Sequence, residues 1–184
     1  MSIRRLLRSF HYGEVGIMAI QEPTQRNFAV MGDNTFTIAN RLMQNQKICR
    51  LLKYPVRDPF NKKYSDVDGA DLINKQILIV PKIYDDDTEK TSYITAIFNN
   101  FTVQMNNPEF KIATIRFDIA CPYEEWLMDE HTLRPYAIMQ EVDKMFNGSK
   151  MAGIGKVHFF SADPLTLTPW LGGYSMYYKV HEFN

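Results

Sequence analysis

The sequence predicts a mixed α+β (α/β) domain: a mainly antiparallel sheet of about five strands, flanked by two helices on one face, with an extended N-terminal arm. Three observations carry this. Residues 110–121 alternate strictly, with Ala113, Ile115, Phe117, Ile119 and Cys121 against Ile112, Thr114, Arg116 and Asp118. Residues 35–53 place Ile38, Leu42, Cys49 and Leu52 on one helical stripe. The composition is rich in 12 Phe and 10 Tyr, which suit strands and large contact surfaces better than a helical bundle.

Taken in order, residues 1–33 show no steady period and read as the arm, with a short helix possible at 2–9. Ile17, Met18, Ile20, Phe28 and Val30 are too apolar to leave in water, so the domain or a neighbouring subunit should cover them. Residues 34–184 form the single domain that this length allows. Asp33 or Asn34 caps a first helix over 35–53, and Tyr54-Pro55 stops it, because the residue before proline avoids the α region. Residues 55–75 are rich in turn formers. Ile77-Leu-Ile-Val-Pro-Lys-Ile83 is a short strand that Pro81 confines to an edge or a terminus. Asp85, Asp86 and Asp87 lie in an exposed turn. Strands at 92–105 and 110–121 make a hairpin about Asn106-Asn107-Pro108, and Arg116 and Asp118 face away from the core. A second helix covers 133–146 with Gly148 at its C-terminal cap. Strands at 155–162 and 173–181 close the chain, joined by a proline-punctuated connection.

The chemistry-bearing patterns fail on spacing. In Asp66-Val-Asp68-Gly69-Ala-Asp71 the glycine stands at loop position four, where a calcium loop needs it at six, and Ile77 stands where the glutamate belongs. The segment Gly148–Lys156 runs from helix to strand and lacks the phosphate-loop spacing. His11, His131, His158 and His181 make no zinc pattern, and His158 with His181 is a two-ligand site at best. Glu124-Glu125 and Asp129-Glu130 could act as paired carboxylates, but such pairs more often cap helices or form rim charges. Cys49 and Cys121 read as reduced core residues. No apolar run reaches membrane-spanning length, and the basic start Arg4, Arg5, Arg8 lacks the apolar stretch of a secretory signal. Lysine plus arginine equals aspartate plus glutamate at 21 each, so the whole chain makes no electrostatic case for nucleic acid. The expectation is a non-enzymatic protein with no catalytic, cofactor or metal residues.

Four stretches carry a resemblance over about 35–181: Ile48-Cys-Arg-Leu-Leu-Lys-Tyr54, Ile77-Leu-Ile-Val-Pro-Lys82 after an Asp-rich loop, Ile112–Cys121, and Arg134–Gly148 through Tyr174-Ser-Met-Tyr-Tyr-Lys179. In order and texture the chain resembles the tail terminator proteins of long-tailed bacteriophages and, more broadly, the small neck proteins of the head–tail junction. The arm at 1–33 departs from their compact pattern.

The resemblance implies a virion protein, assembled in the host cytoplasm. It would form a closed, usually hexameric ring with itself, cap the tail tube protein, and join a head-closure or adaptor protein. DNA would only pass through the lumen, where Arg116 is a candidate contact. The interface candidates are Arg4, Arg5, Arg8, Phe28, Asp85, Asp86, Asp87 and Trp170. Loops 55–75 and 84–91 and the connection 163–172 would face neighbouring rings. Three alternatives stand beside this reading: a head-closure or adaptor protein, a cytosolic enzyme or small-ligand binder, and nucleic-acid binding through the basic arm.

Overall fold

The computed structural model describes residues 28–85, 88–104, 107–151 and 155–181. Two helices come first, α1 (Phe28–Gln44) and α2 (Gln46–Lys53). They are followed by β1 (Ile77–Leu78), β2 (Tyr93–Gln104) and β3 (Asn107–Pro122). Then come α3 (Arg134–Phe146), β4 (Lys150–Met151), β5 (Gly155–Thr168) and β6 (Leu171–His181). The six strands form one sheet in the order β1-β2-β3-β6-β5-β4. Every pairing is antiparallel except β1 with β2, which is parallel.

The architecture is the mixed α+β arrangement, with six strands and three α-helices among the described residues where about five and two were expected. The third helix arises from one residue. Asn45 leaves the helical region at φ −86°, ψ 99°, and its side-chain oxygen accepts from the backbone N–H groups of Lys47 and Ile48. A side chain that caps a new helix competes with continuing the old one, so the stripe over 35–53 splits in two. The first helix also starts at Phe28, not at an Asp33 or Asn34 cap; Asn34 is buried within it. Residues 1–27 of the expected arm lie outside the described residues.

The strands obey their period. Ile115, Phe117, Ile119 and Cys121 of β3 lie on one face with Ile94 and Ala96 of β2 and Met176, Tyr178 and Val180 of β6. Ile38 and Leu42 of α1, Ile48, Leu51 and Leu52 of α2, and Ile138, Val142 and Phe146 of α3 close over that face. Phe117 meets Phe146 at 4.9 Å and Tyr178 edge-on at 5.7 Å between ring centres. The opposite face has a smaller apolar cluster of Leu78, Tyr93, Ala120 and Leu171, with Tyr84, Leu167 and Trp170 packed against it.

Two strand bounds differ from expectation. The run from Ile77 pairs with β2 only at Ile77 and Leu78, because Pro81 cannot donate to a ladder. The connection 163–172 is mostly strand: β5 runs on to Thr168, and only a tight turn separates it from β6. Pro164 is tolerated there because this part of β5 lies beyond β4's short reach, at the margin of the sheet.

Candidate functional site

Three regions of the fold hold polar or exposed features beyond plain packing. The first is buried. Arg134 is 1% exposed at the start of α3. Its Nε donates to the Glu125 carbonyl at 3.0 Å and its Nη2 to the Val56 carbonyl at 2.6 Å. Its Nη1 donates to the Leu51 and Tyr54 carbonyls. Those carbonyls belong to the end of α2 and the chain just after it, which have no helical N–H to accept from. Glu125 lies 3.9 Å from the guanidinium and accepts from Ser92 at 3.2 Å. Burial pushes the Glu125 carboxyl above its usual range, and Arg134 and Ser92 pull against that rise. This is a brace between α2, α3 and β2. Cys121 is beside it, its thiol pushed up to about 12 by burial, and Cys49 is raised to about 11 for the same reason. Neither thiol is poised as a nucleophile.

The second region is a cleft of about 470 Å³ between α2, α3 and the turns at 57–60 and 128–132. Leu51, Met128 and Ala137 line it, with Asp58, Asp129, Glu130 and Glu141 facing Lys47, Arg57 and Lys144. Glu130 and His131 both adopt positive φ, 59° and 57°, at its rim. Glu141 is already engaged by Lys144 at 2.9 Å and Lys47 at 3.6 Å. Burial would raise its carboxyl, but hydrogen bonds from Lys144 and Asn45 and the charge of Lys47 hold it below the usual range. The two acidic pairs seen in the sequence part company here: Glu125 turns inward to the brace, while Asp129 and Glu130 line the cleft. Among the described residues no three His, Cys, Asp or Glu side chains gather as a metal site.

The third region is the margin of the sheet. β1 covers only Ile94 and Thr95 of β2, and β4 covers only Gly155 and Lys156 of β5. From Ala96 to Gln104 on one side, and from Ser161 to Thr168 on the other, no strand among the described residues pairs with the outer edge. Among the described residues β6 pairs with β3 only from Thr114 onward, so the far part of the β2–β3 hairpin has no third strand there. Large apolar side chains are exposed at both margins: Val80 (58%) and Ile83 (89%) follow β1, and Phe159 (43%) and Phe160 (57%) lie on β5.

The expected interface residues are scattered. Asp85 is exposed and accepts from the Thr88 hydroxyl at 2.9 Å. Trp170 is partly buried against the outer-face cluster, with the Lys90 amine 5.6 Å from its ring centre, so it is packing more than docking surface. Arg116 does face away from the helices, but Asp118 already takes its Nε and Nη2 at 3.0 and 2.7 Å, and the Ser175 hydroxyl donates to the same carboxylate. Phe28 opens α1, and its side chain lies outside the described residues, as do Arg4, Arg5, Arg8, Asp86 and Asp87. His158 stands opposite Lys179 and His181 opposite Lys156, so the two histidines are diagonal and not directly paired.

Arg134, Phe159 and Phe160 are not among the site residues expected from the sequence. Adjacent phenylalanines in a strand were a usable signal, because the period of two forces one of them off the core face. The YomW family profile matches residues 45–180, which contain α2, α3 and almost the whole sheet. No curated protein matches the chain.

Proposed function

The chain belongs to the YomW family, and from the sheet that this domain builds we propose that it is a structural virion protein, a tail terminator. In this reading it forms a closed ring with copies of itself, caps the tail tube, and presents its other side to the head connector. The observation that carries the reading is the pair of margins at opposite ends of one sheet that have no strand partner among the described residues over much of their length. Surfaces at opposite ends favour a head-to-tail contact, and such contacts close into rings when the rotation per subunit divides a full turn. The far part of the β2–β3 hairpin, which has no third strand among the described residues, supports the same reading, since a neighbour could pair there. The margins are guarded against indiscriminate pairing: β5 has Pro164 and irregular register near Phe159–Ser161 and Thr166–Thr168. The resemblance to tail terminator and neck proteins supplies the identity of the ring's partners.

The buried brace and the inert thiols fit a rigid subunit, and in the cleft Glu141 is paired with Lys47 and Lys144. Labelling the chain in intact particles tests the placement. The terminator reading expects the label at the head-proximal end of the tail tube, present also on tails assembled without heads. Label found only on heads assembled without tails would replace it with the head-closure or adaptor reading. Label absent from particles would end both.

A further inference from the structure

On the face of the sheet turned away from the helices, we infer that one corner binds single-stranded nucleic acid: Lys150, Lys156 and Lys179 meet its phosphates and Phe160 stacks on a base. The strand register assembles this corner. Lys150 of β4 stands opposite Lys156 of β5. His158 of β5 stands opposite Lys179 of β6, which in turn stands opposite Thr114 of β3. On the next rung Tyr177 lies between Ser161 and Arg116. Residues paired across a ladder share a face, so all of these project from the side opposite the Phe117–Tyr178 core. The aromatic cluster of Tyr93, Tyr84 and Trp170 covers the other half of that face. At the corner itself, Lys150, Lys156 and Phe160 are exposed.

The charge at this corner does not cancel. Two carboxylates belong to the strands of this face among the described residues, Asp118 and Asp163. Asp118 is buried, accepts from Arg116 and from the Ser175 hydroxyl, and so balances Arg116 alone. Asp163 is exposed and stands opposite Ser175, four residues along β6 from Lys179. That is roughly 13 Å along the strand, beyond a Debye length of about 8 Å. Asp143 belongs to the helix side, held by the Tyr178 hydroxyl, and Asp85 and Glu89 act on Lys82 at the far half. Lys150, Lys156 and Lys179 make no ion pair among the described residues. Lys150 and Lys156 are also directly opposed, an arrangement that destabilises a ladder until an anion lies between them. Lysine at a sheet edge blocks strand addition, which accounts for Lys150. It does not account for Lys179, which lies on the interior strand β6, a diagonal step of about 7–8 Å from Lys156.

The aromatic ring selects the partner. Phe160 sits at a bulge in β5 with the Lys179 amine 3.7 Å from its ring centre, and it stays 57% exposed. A cation beside an exposed ring is the pairing that holds unpaired bases along a phosphate backbone. An acidic protein gives the ring nothing to stack on, and a duplex keeps its bases stacked on one another. This surface is separate from the sheet margins, and it stands whether or not copies form a ring.

Fluorescence anisotropy of the full chain with a labelled oligothymidylate of about 15 nucleotides tests it. Affinity should fall with salt at a log–log slope of about −2, from three lysines at about 0.7 each. Lys156→Gln with Lys179→Gln should weaken binding at least tenfold and flatten the slope by about 1.4. Phe160→Ala should weaken it about tenfold with the slope unchanged. Lys62→Gln, on the loop that Arg50 of α2 holds on the helix side, should bind like the native chain. Circular dichroism melts verify that each variant is folded. No binding at low salt overturns the inference. So does native-like binding by the lysine pair variant, or equal competition by polyglutamate. A duplex that binds as tightly as the single strand, with Phe160→Ala silent, overturns it too. Binding that is lost only on changing Arg4, Arg5 and Arg8 to Gln does the same, by moving the contact to the N-terminal residues.

Discussion

Arg134 shows how much one side chain can hold in this fold. It supplies donors to the Leu51, Tyr54, Val56 and Glu125 carbonyls from a position closed to water. Removing it strands buried acceptors and leaves the raised Glu125 carboxyl without its counter-charge. Arg134→Ala should therefore cost about 3–5 kcal/mol in urea unfolding. Arg134→Lys should recover only part, because an ammonium cannot span the fork of carbonyls. A loss under about 1 kcal/mol would mean water replaces the guanidinium and the brace is dispensable. Glu141 gives a pH signature. Its folded carboxyl lies below the unfolded value, so its contribution is complete above about pH 4.3 and is lost as pH falls through the folded value. Glu141→Gln should be less stable by about 0.5 kcal/mol at pH 7, a modest effect because its lysine partners are exposed. The gap should close in acid; a gap that widens there would reverse the assignment. The thiols of Cys49 and Cys121, both raised by burial, should resist alkylation at about pH 8 until the chain is unfolded. The core placement of the two thiols was legible in the sequence, but the buried role of Arg134 was not, since no local pattern marks it. Arg50 likewise hooks the Pro59, Asn61 and Tyr64 carbonyls of the following loop.

At the scale of elements, the periodic segments were legible and their interruptions were not. The β3 alternation and the α3 stripe stand where the pattern placed them, and Gly148 follows α3 with φ 71°. Burial on one face imposes those patterns on the sequence, so they can be read back from it. The break at Asn45 depends on a local competition between capping and helix continuation, which periodicity does not register. Asn45→Ala should cost about 1 kcal/mol by removing the cap of α2. The extension of β5 through Pro164 was hidden for a different reason: proline argues against a strand unless the strand is known to lie at the margin. Close approach of β3 and β6 was also invisible. A Cβ at Gly173 would run into the Ile119 carbonyl, so these strands pass nearer there than an ordinary side chain allows; one at Gly172 would meet the Tyr123 hydroxyl and the Leu165 carbonyl. Gly173→Val should separate them at a cost of about 1–3 kcal/mol, read as a lower melting temperature. An unchanged melting temperature would show that the backbone relaxes around the added group.

The whole molecule combines a well-braced interior with unfinished margins. Three helices cover one face of the sheet and a small aromatic cluster covers part of the other, while the outer edges of β2 and β5 lack a strand partner among the described residues over much of their length. The sequence named interface candidates and loops that would face neighbouring rings, but not the sheet margins. Which edges, and which side chains, depended on strand order, and strand order is a property of topology that no local pattern records. The expected loop 163–172 is β5 with its turn into β6, and exposed apolar residues lie on β5 and in the segment after β1. A uniform, near-neutral surface would suit any soluble domain; apolar patches set at opposite ends of one sheet suit a repeating contact. The most direct test is native mass spectrometry of the full chain titrated with tail tube protein. The ring reading predicts one discrete closed oligomer of this chain, at a fixed stoichiometry that stays constant as concentration rises. A chain that remains strictly monomeric across the titration, or that grows without limit, would contradict it.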